Sequence, residues 1–134
     1  MKNPLPLHVI VDRISISSIS SATQRHSFIV NDVPADMQVT TDENMLATVL
    51  GSLLNTIITH SKNCCIRVSA KLFGKVALIQ LKETHSFNDE SFNGNIRQLQ
   101  NLAEKIGGTI SICRDRSKET TVVFSFANDI PLAA

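Results

Sequence analysis

The chain contains no tryptophan and no tyrosine, and six phenylalanines are its only aromatic side chains besides histidine. A platform for stacking nucleobases therefore has little to be built from. A stripe of one charge is also missing: thirteen basic and twelve acidic residues leave a formal net charge of +1, and the Lys and Arg are scattered. Without a basic footprint, nucleic acid is not an expected partner. Cys64, Cys65 and Cys113 are an odd number with no CxxC pair. Adjacent residues on a strand point to opposite faces, so reduced thiols are expected rather than a disulfide or a zinc centre. His60 and Cys64 lack the two further ligands that a tetrahedral metal site requires, so no metal is expected. Long hydrophobic runs are absent as well, and Met1-Lys2-Asn3-Pro4 leads into no signal-peptide core. A soluble, cytoplasmic chain without membrane contact is the expectation.

What is there fits one compact unit of 134 residues, the usual size of a single domain. The expected core runs over about 9–126, with the Pro-bearing ends, 1–6 and 128–134, as loosely ordered tails. Between Met45 and Ser61, Leu46, Val49, Leu50, Leu53, Leu54, Ile57 and Ile58 recur at helical spacing. Thr41 or Asp42 can cap this helix, and Glu43 suits its positive end. Ile96, Leu99, Leu102, Ala103 and Ile106 predict a second amphipathic helix that stops at Gly107-Gly108. Residues 10–24 fit neither period well and are read as a short helix. β-Branched runs predict strands at about 26–33, 37–41, 64–72, 75–82, 109–114 and 120–126, with a tight hairpin at Phe73-Gly74. Elements in blocks, rather than in strict alternation, imply an α+β fold: a two-layer sandwich with a mixed, mostly antiparallel sheet covered on one face by about three helices.

Three segments carry a family resemblance. Val39-Thr40-Thr41-Asp42 leads into a helix ending Asn55-Thr56-Ile57-Ile58-Thr59-His60-Ser61, similar to an aspartate followed by an N box of the form N-L-L-x-N-A-x-K-H-S. Leu99 to Ile112, with its Gly107-Gly108 turn, resembles the last helix, glycine turn and strand of the same family. Glu119 to Phe126 is like its closing strand. This pattern resembles the catalytic domain of histidine kinases within the gyrase, Hsp90, histidine kinase and MutL ATPase superfamily, and it implies a Bergerat fold.

The residues that carry chemistry in that family are largely replaced. Aligned on His60-Ser61, Ser52 and Thr56 stand where the N box has its two asparagines, the second of which holds Mg²⁺ in the family. Asn55 is one residue early, about 100° around the helix. Thr59 stands at the usual basic position. In place of D-x-G-x-G, Glu83 takes the place of the acid, and His85 and Phe87 occupy both glycine positions, where side chains would fill space the ligand needs. Only residues 84–95 separate Glu83 from Ile96, so the family's mobile lid and second glycine motif have no counterpart, and neither has the backbone cradle for a triphosphate. Phe87 and Phe92 are expected to plug the vacated pocket near Ser52 or Thr56. His60 is read as a helix-end residue facing the last carbonyls.

The resemblance therefore implies a degenerate ATP-binding domain, unable to hydrolyse ATP and without a cofactor. Such a domain would act as a docking, dimerisation or regulatory module in phosphorelay signalling. Its implied partners are a histidine phosphotransfer or response-regulator protein, or a second copy in a homodimer. The alternative is a divergent but functional ATP-binding domain that uses Mg-ATP through Thr56 and Glu83.

Overall fold

The computed structural model describes residues 4–84, 90–114 and 119–128. In chain order the elements are β1 (Leu5–Pro6), α1 (Leu7–Gln24), β2 (Phe28–Asn31), β3 (Gln38–Val39), α2 (Glu43–Thr59), β4 (Cys65–Phe73), β5 (Val76–Glu83), α3 (Glu90–Glu104), β6 (Thr109–Arg114) and β7 (Thr120–Ala127). Five strands form one sheet in the order β2-β4-β5-β7-β6. β2 runs parallel to β4, and the other neighbours are antiparallel. Three helices complete the expected α+β sandwich.

α2 is the spine. Asp42, rather than Thr41, caps it, its Oδ1 accepting from Met45 N at 3.0 Å. All seven apolar residues expected on its inner face, Leu46 through Ile58, are buried. They meet the inner side chains of the central strands, among them Ile66, Val68, Ile79, Leu81, Val122 and Phe124. The alternating burial along β4, β5 and β7 is the signature of a sheet with one face packed and one face open. Gly74 sits at φ +60° in the two-residue loop between Phe73 and Val76, which pair across the hairpin. Gly108 is packed so closely that a Cβ there would lie 2.7 Å from Ser125 O.

The structure departs from the sequence expectations in four places. The N-terminal tail begins in order: Leu5 and Pro6 pair with Val39 and Gln38 in a separate two-stranded sheet, so β3 does not join the main one. At the other end, Asn128 is buried, its N–H donating to Lys75 O at 2.8 Å and its Oδ1 accepting from Thr40 N at 2.7 Å. Long-range pairing of this kind leaves no local signal. α1 spans 18 residues, longer than the short helix expected, because Leu7, Ile10, Val11 and Ala22 bury along its length. α3 starts at Glu90, ahead of Ile96, because Phe92 is fully buried and brings the preceding turn with it.

Candidate functional site

The positions singled out in the sequence lie on two elements. Ser52 and Thr56 are half-buried, one turn apart on α2. Thr56 Oγ1 donates to Ser52 O at 2.9 Å, so the hydroxyl is turned back onto its own helix. Thr59 is exposed and repeats the arrangement, its Oγ1 donating to Asn55 O at 2.8 Å. Asn55 is exposed. Threonines inside helices commonly make this bond four residues back, and it occupies the hydroxyl proton.

Glu83 closes β5 and is 1 % exposed. Its location follows from register: Ile66 of β4 lies opposite it on one side and Thr120 of β7 on the other. The residues that lead from α2 into β4 therefore lie beside its carboxylate. Ser61 Oγ is 3.2 Å from Glu83 Oε2 and 2.5 Å from Ile57 O, so one hydroxyl proton serves two acceptors. Thr84 Oγ1 donates to Oε1 at 3.4 Å. The Cys64 thiol, which donates to Lys62 O at 3.0 Å, is pushed up from 9.0 to about 11, first by burial and then by its hydrogen bond to Glu83. Glu83 thus joins the C-terminal end of α2 through Ser61 and Cys64, two partners that the spacing of the sequence did not suggest. The signal that could have found Ser61 was its place at the end of the N-box-like segment.

His60, the C-cap residue of α2, donates its backbone N–H to Thr56 O and Ile57 O, and its ring reaches α3. Its ring meets Phe92 edge-on, with centroids 5.3 Å apart and planes at 78°. Asn95 Nδ2 lies 3.4 Å from His60 Nε2. Phe92 packs inward, against the His60 ring, which lies one turn along α2 from Thr56. His85 and Phe87 fall outside the described residues. Only residues 84–89 lie between β5 and α3, an even shorter connection than the sequence suggested. A groove of about 390 Å³ opens between α3 and β6, lined by Ile96, Arg97, Gln100, Ile110 and neighbours, none of them among the singled-out positions. Among the described residues no three His, Cys, Asp or Glu side chains are grouped to hold a metal, and no helix is long and apolar enough to cross a membrane.

Element order, sheet order and the long capped helix can now be set beside known proteins. No protein-family model matches the sequence, and no curated protein does so either. Solved structures do match. A histidine kinase of Acinetobacter baumannii, AdeS, superposes with a TM-score of 0.82 at 11 % identity, over 97 % of this chain and 68 % of that one. The catalytic domain of histidine kinase ThkA, in a nucleotide-free form, gives a TM-score of 0.77 at 12 % identity over 96 % of both chains. This chain has the histidine-kinase catalytic-domain fold. Full-length ShkA in complex with AMPPNP matches with a TM-score of 0.76 at 12 % identity, this chain spanning 32 % of its length. A ThkA complex with response regulator TrrA matches at 0.75 and 13 % identity, with 42 % of that chain covered. At identities this low the likeness speaks for the catalytic-domain fold and leaves the chemistry to the side chains.

The Cys64 environment gives a direct expectation. A thiol held at about 11 binds its proton more tightly in the folded state, so its contribution to stability is complete below 9.0 and is lost as pH rises toward 11. At pH 8 the exposed Cys113 should react first with a disulfide reagent, and Cys64, 1 % exposed, should react only at the rate of unfolding. Equal rates for the two in the native protein, read by mass spectrometry of the labelled peptides, would contradict this placement.

Proposed function

We propose that this chain is a catalytic-type domain of the histidine-kinase fold that does not hydrolyse ATP and serves as a cytoplasmic docking or regulatory module in phosphorelay signalling. The observation that carries this reading is that Thr56 and Glu83, at the positions where the resemblance places nucleotide-binding side chains, are both engaged by groups of the protein itself. Thr56 has turned its hydroxyl to Ser52 O, and the Glu83 carboxylate is buried against Ser61 and Thr84. Phe92 packs between α2 and α3 against His60. That Thr56 Oγ1 is turned to its own helix, and that the Glu83 carboxylate already accepts from Ser61, Thr84 and the Cys64 thiol, supports a site adapted to the protein's own groups rather than to a magnesium nucleotide. The short connection of residues 84–89 leaves no length for a lid. A histidine phosphotransfer or response-regulator protein is the partner class this reading assigns, since ThkA has been solved with the response regulator TrrA.

A second reading has one observation in its favour. Glu83 is a carboxylate at the end of β5, where the resemblance places the acid that recognises adenine, and a divergent site could use it with Mg-ATP and Thr56. Calorimetric titration with Mg-ATP separates the two. The expected result is no saturable binding with a Kd below about 1 mM, corresponding to roughly −4 kcal/mol. Binding tighter than that and abolished by Thr56→Ala would overturn the first reading and establish the second.

A further inference from the structure

α1 has two apolar faces. One turns inward with Leu7, Ile10, Val11, Ile14 and Ala22. The other consists of Val9, Asp12, Ile16, Ile19 and Thr23, which succeed one another at alternating intervals of three and four residues. That is the spacing of a coiled-coil seam, in which each side chain enters a hole on a facing helix. Among the described residues the seam is open. Val9 is 47 % exposed, Ile16 69 % and Ile19 62 %, and Phe28 at the start of the edge strand β2 adds a ring 59 % exposed. Ile16, Ile19 and Phe28 line one groove of about 270 Å³ between α1 and β2. Scattered exposed isoleucines need no explanation, but two on one seam with a phenylalanine beside them form a patch.

We propose that this seam is a homodimer interface, in which α1 packs antiparallel against α1 of a second copy about a two-fold axis between Ile16 and Ile19. The charge on the seam selects the direction, and the area it exposes suits a second copy. In a parallel pair Asp12 would oppose Asp12 of the partner subunit, and like charges in direct opposition are destabilising. In the antiparallel pair, Ile16 faces Ile19 of the partner subunit, and Asp12 faces Thr23 of the partner subunit. Each of these contacts occurs twice, as an isologous interface requires. Asp12 is already held in place, accepting from Asn31 Nδ2 at 2.8 Å and lying 3.5 Å from His8 Nε2. The area is of the right order: the exposed parts of the four apolar side chains amount to roughly 400 Å², and one side of a standard interface takes about 800 Å², a little over half of it apolar. Ser20, exposed beside the seam, supplies a neutral, polar rim. Arg13, midway along α1, lies 3.7 Å from Glu43, and Arg25 at the C-cap donates to Thr59 O, so both are engaged within the chain.

The interface supplies the dimerisation element of the docking module proposed above, yet its test does not involve nucleotide. Sedimentation equilibrium of the full chain over a concentration series should show a monomer–dimer equilibrium. Ile16→Asp should weaken the dimer on the order of a hundredfold or more, since the change acts twice across the axis and each tenfold corresponds to about 1.4 kcal/mol. The mutated position is solvent-facing, so its circular dichroism melt should match that of the parent. Thr23→Lys sets an ammonium opposite Asp12 of the partner subunit and should tighten the dimer about threefold or more in the antiparallel pair alone. A monomer at every concentration, an Ile16→Asp dimer of unchanged affinity, or a weakened Thr23→Lys dimer would overturn the proposal. Mg-ATP binding would overturn the proposed function and leave this result standing.

Discussion

Leu53→Ala should lower the free energy of unfolding by about 2–5 kcal/mol, the range for a large-to-small change in a packed core. Leu53 is fully buried midway along α2, on the stripe that faces the sheet. Its loss removes transfer free energy and leaves a cavity that cannot collapse, since Leu50, Leu54 and Ile57 of the same helix are fixed against several strands at once. Urea melts monitored by circular dichroism give the value, and the slope should remain that of the parent. A change below about 0.5 kcal/mol would mean that α2 presents a different face to the sheet.

Phe92→Ala should cost about as much or more, roughly 3–5 kcal/mol. Here the ring is fully buried at the start of α3, and His60 meets it edge-on. Removing the ring therefore affects both helices: α3 loses the anchor of its first turn, and the His60 imidazole loses its aromatic partner. Phe92→Leu keeps most of the apolar volume and should cost clearly less. Two-dimensional NMR should place the largest shift changes at the C-terminal end of α2 and in the first turns of α3. A variant as stable as the parent would remove Phe92 from its role as the wedge between the helices.

The contrast between α2 and α1 explains what could be read from the sequence. α2 buries one stripe only, so its period was plain, and every residue assigned to the inner face is buried. α1 buries Ile10 and exposes Ile16 and Ile19. Apolar residues on two sides of one helix weaken its helical period, which is why residues 10–24 fit neither period well. After Glu90, the first turns of α3, Ser91-Phe92-Asn93-Gly94-Asn95, hold residues of poor helix propensity. Burial of Phe92 decides the conformation there, and a local reading has no access to burial. β1 and Asn128 were unreadable for a related reason, because their partners Val39 and Thr40 are distant in sequence.

For the candidate site, the substitutions at Ser52, Thr56, Thr59 and Glu83 were visible as departures from a pattern, but their consequences were not. The bond from Thr56 Oγ1 to Ser52 O could have been anticipated, since threonine inside a helix has a carbonyl four residues back within reach. The environment of Glu83 could not. It depends on the register that sets Ile66 and Thr120 on either side of it, and register is a property of the assembled sheet.

The position of β7 governs the order in which the sheet can be completed. β7 lies between β5 and β6, hydrogen-bonded to both, yet it follows both in sequence. A nascent chain that has reached Arg114 has made β6 without a neighbour for it to pair with, and β5 stands as an unprotected edge. Such edges are templates for pairing between chains. During synthesis the half-made domain is therefore sticky, and arrival of the segment Thr120–Ala127 converts two loose borders into the interior of one sheet. A ribosome stalled before that segment would hold a chain that recruits holdase chaperones, and one stalled well beyond it would not.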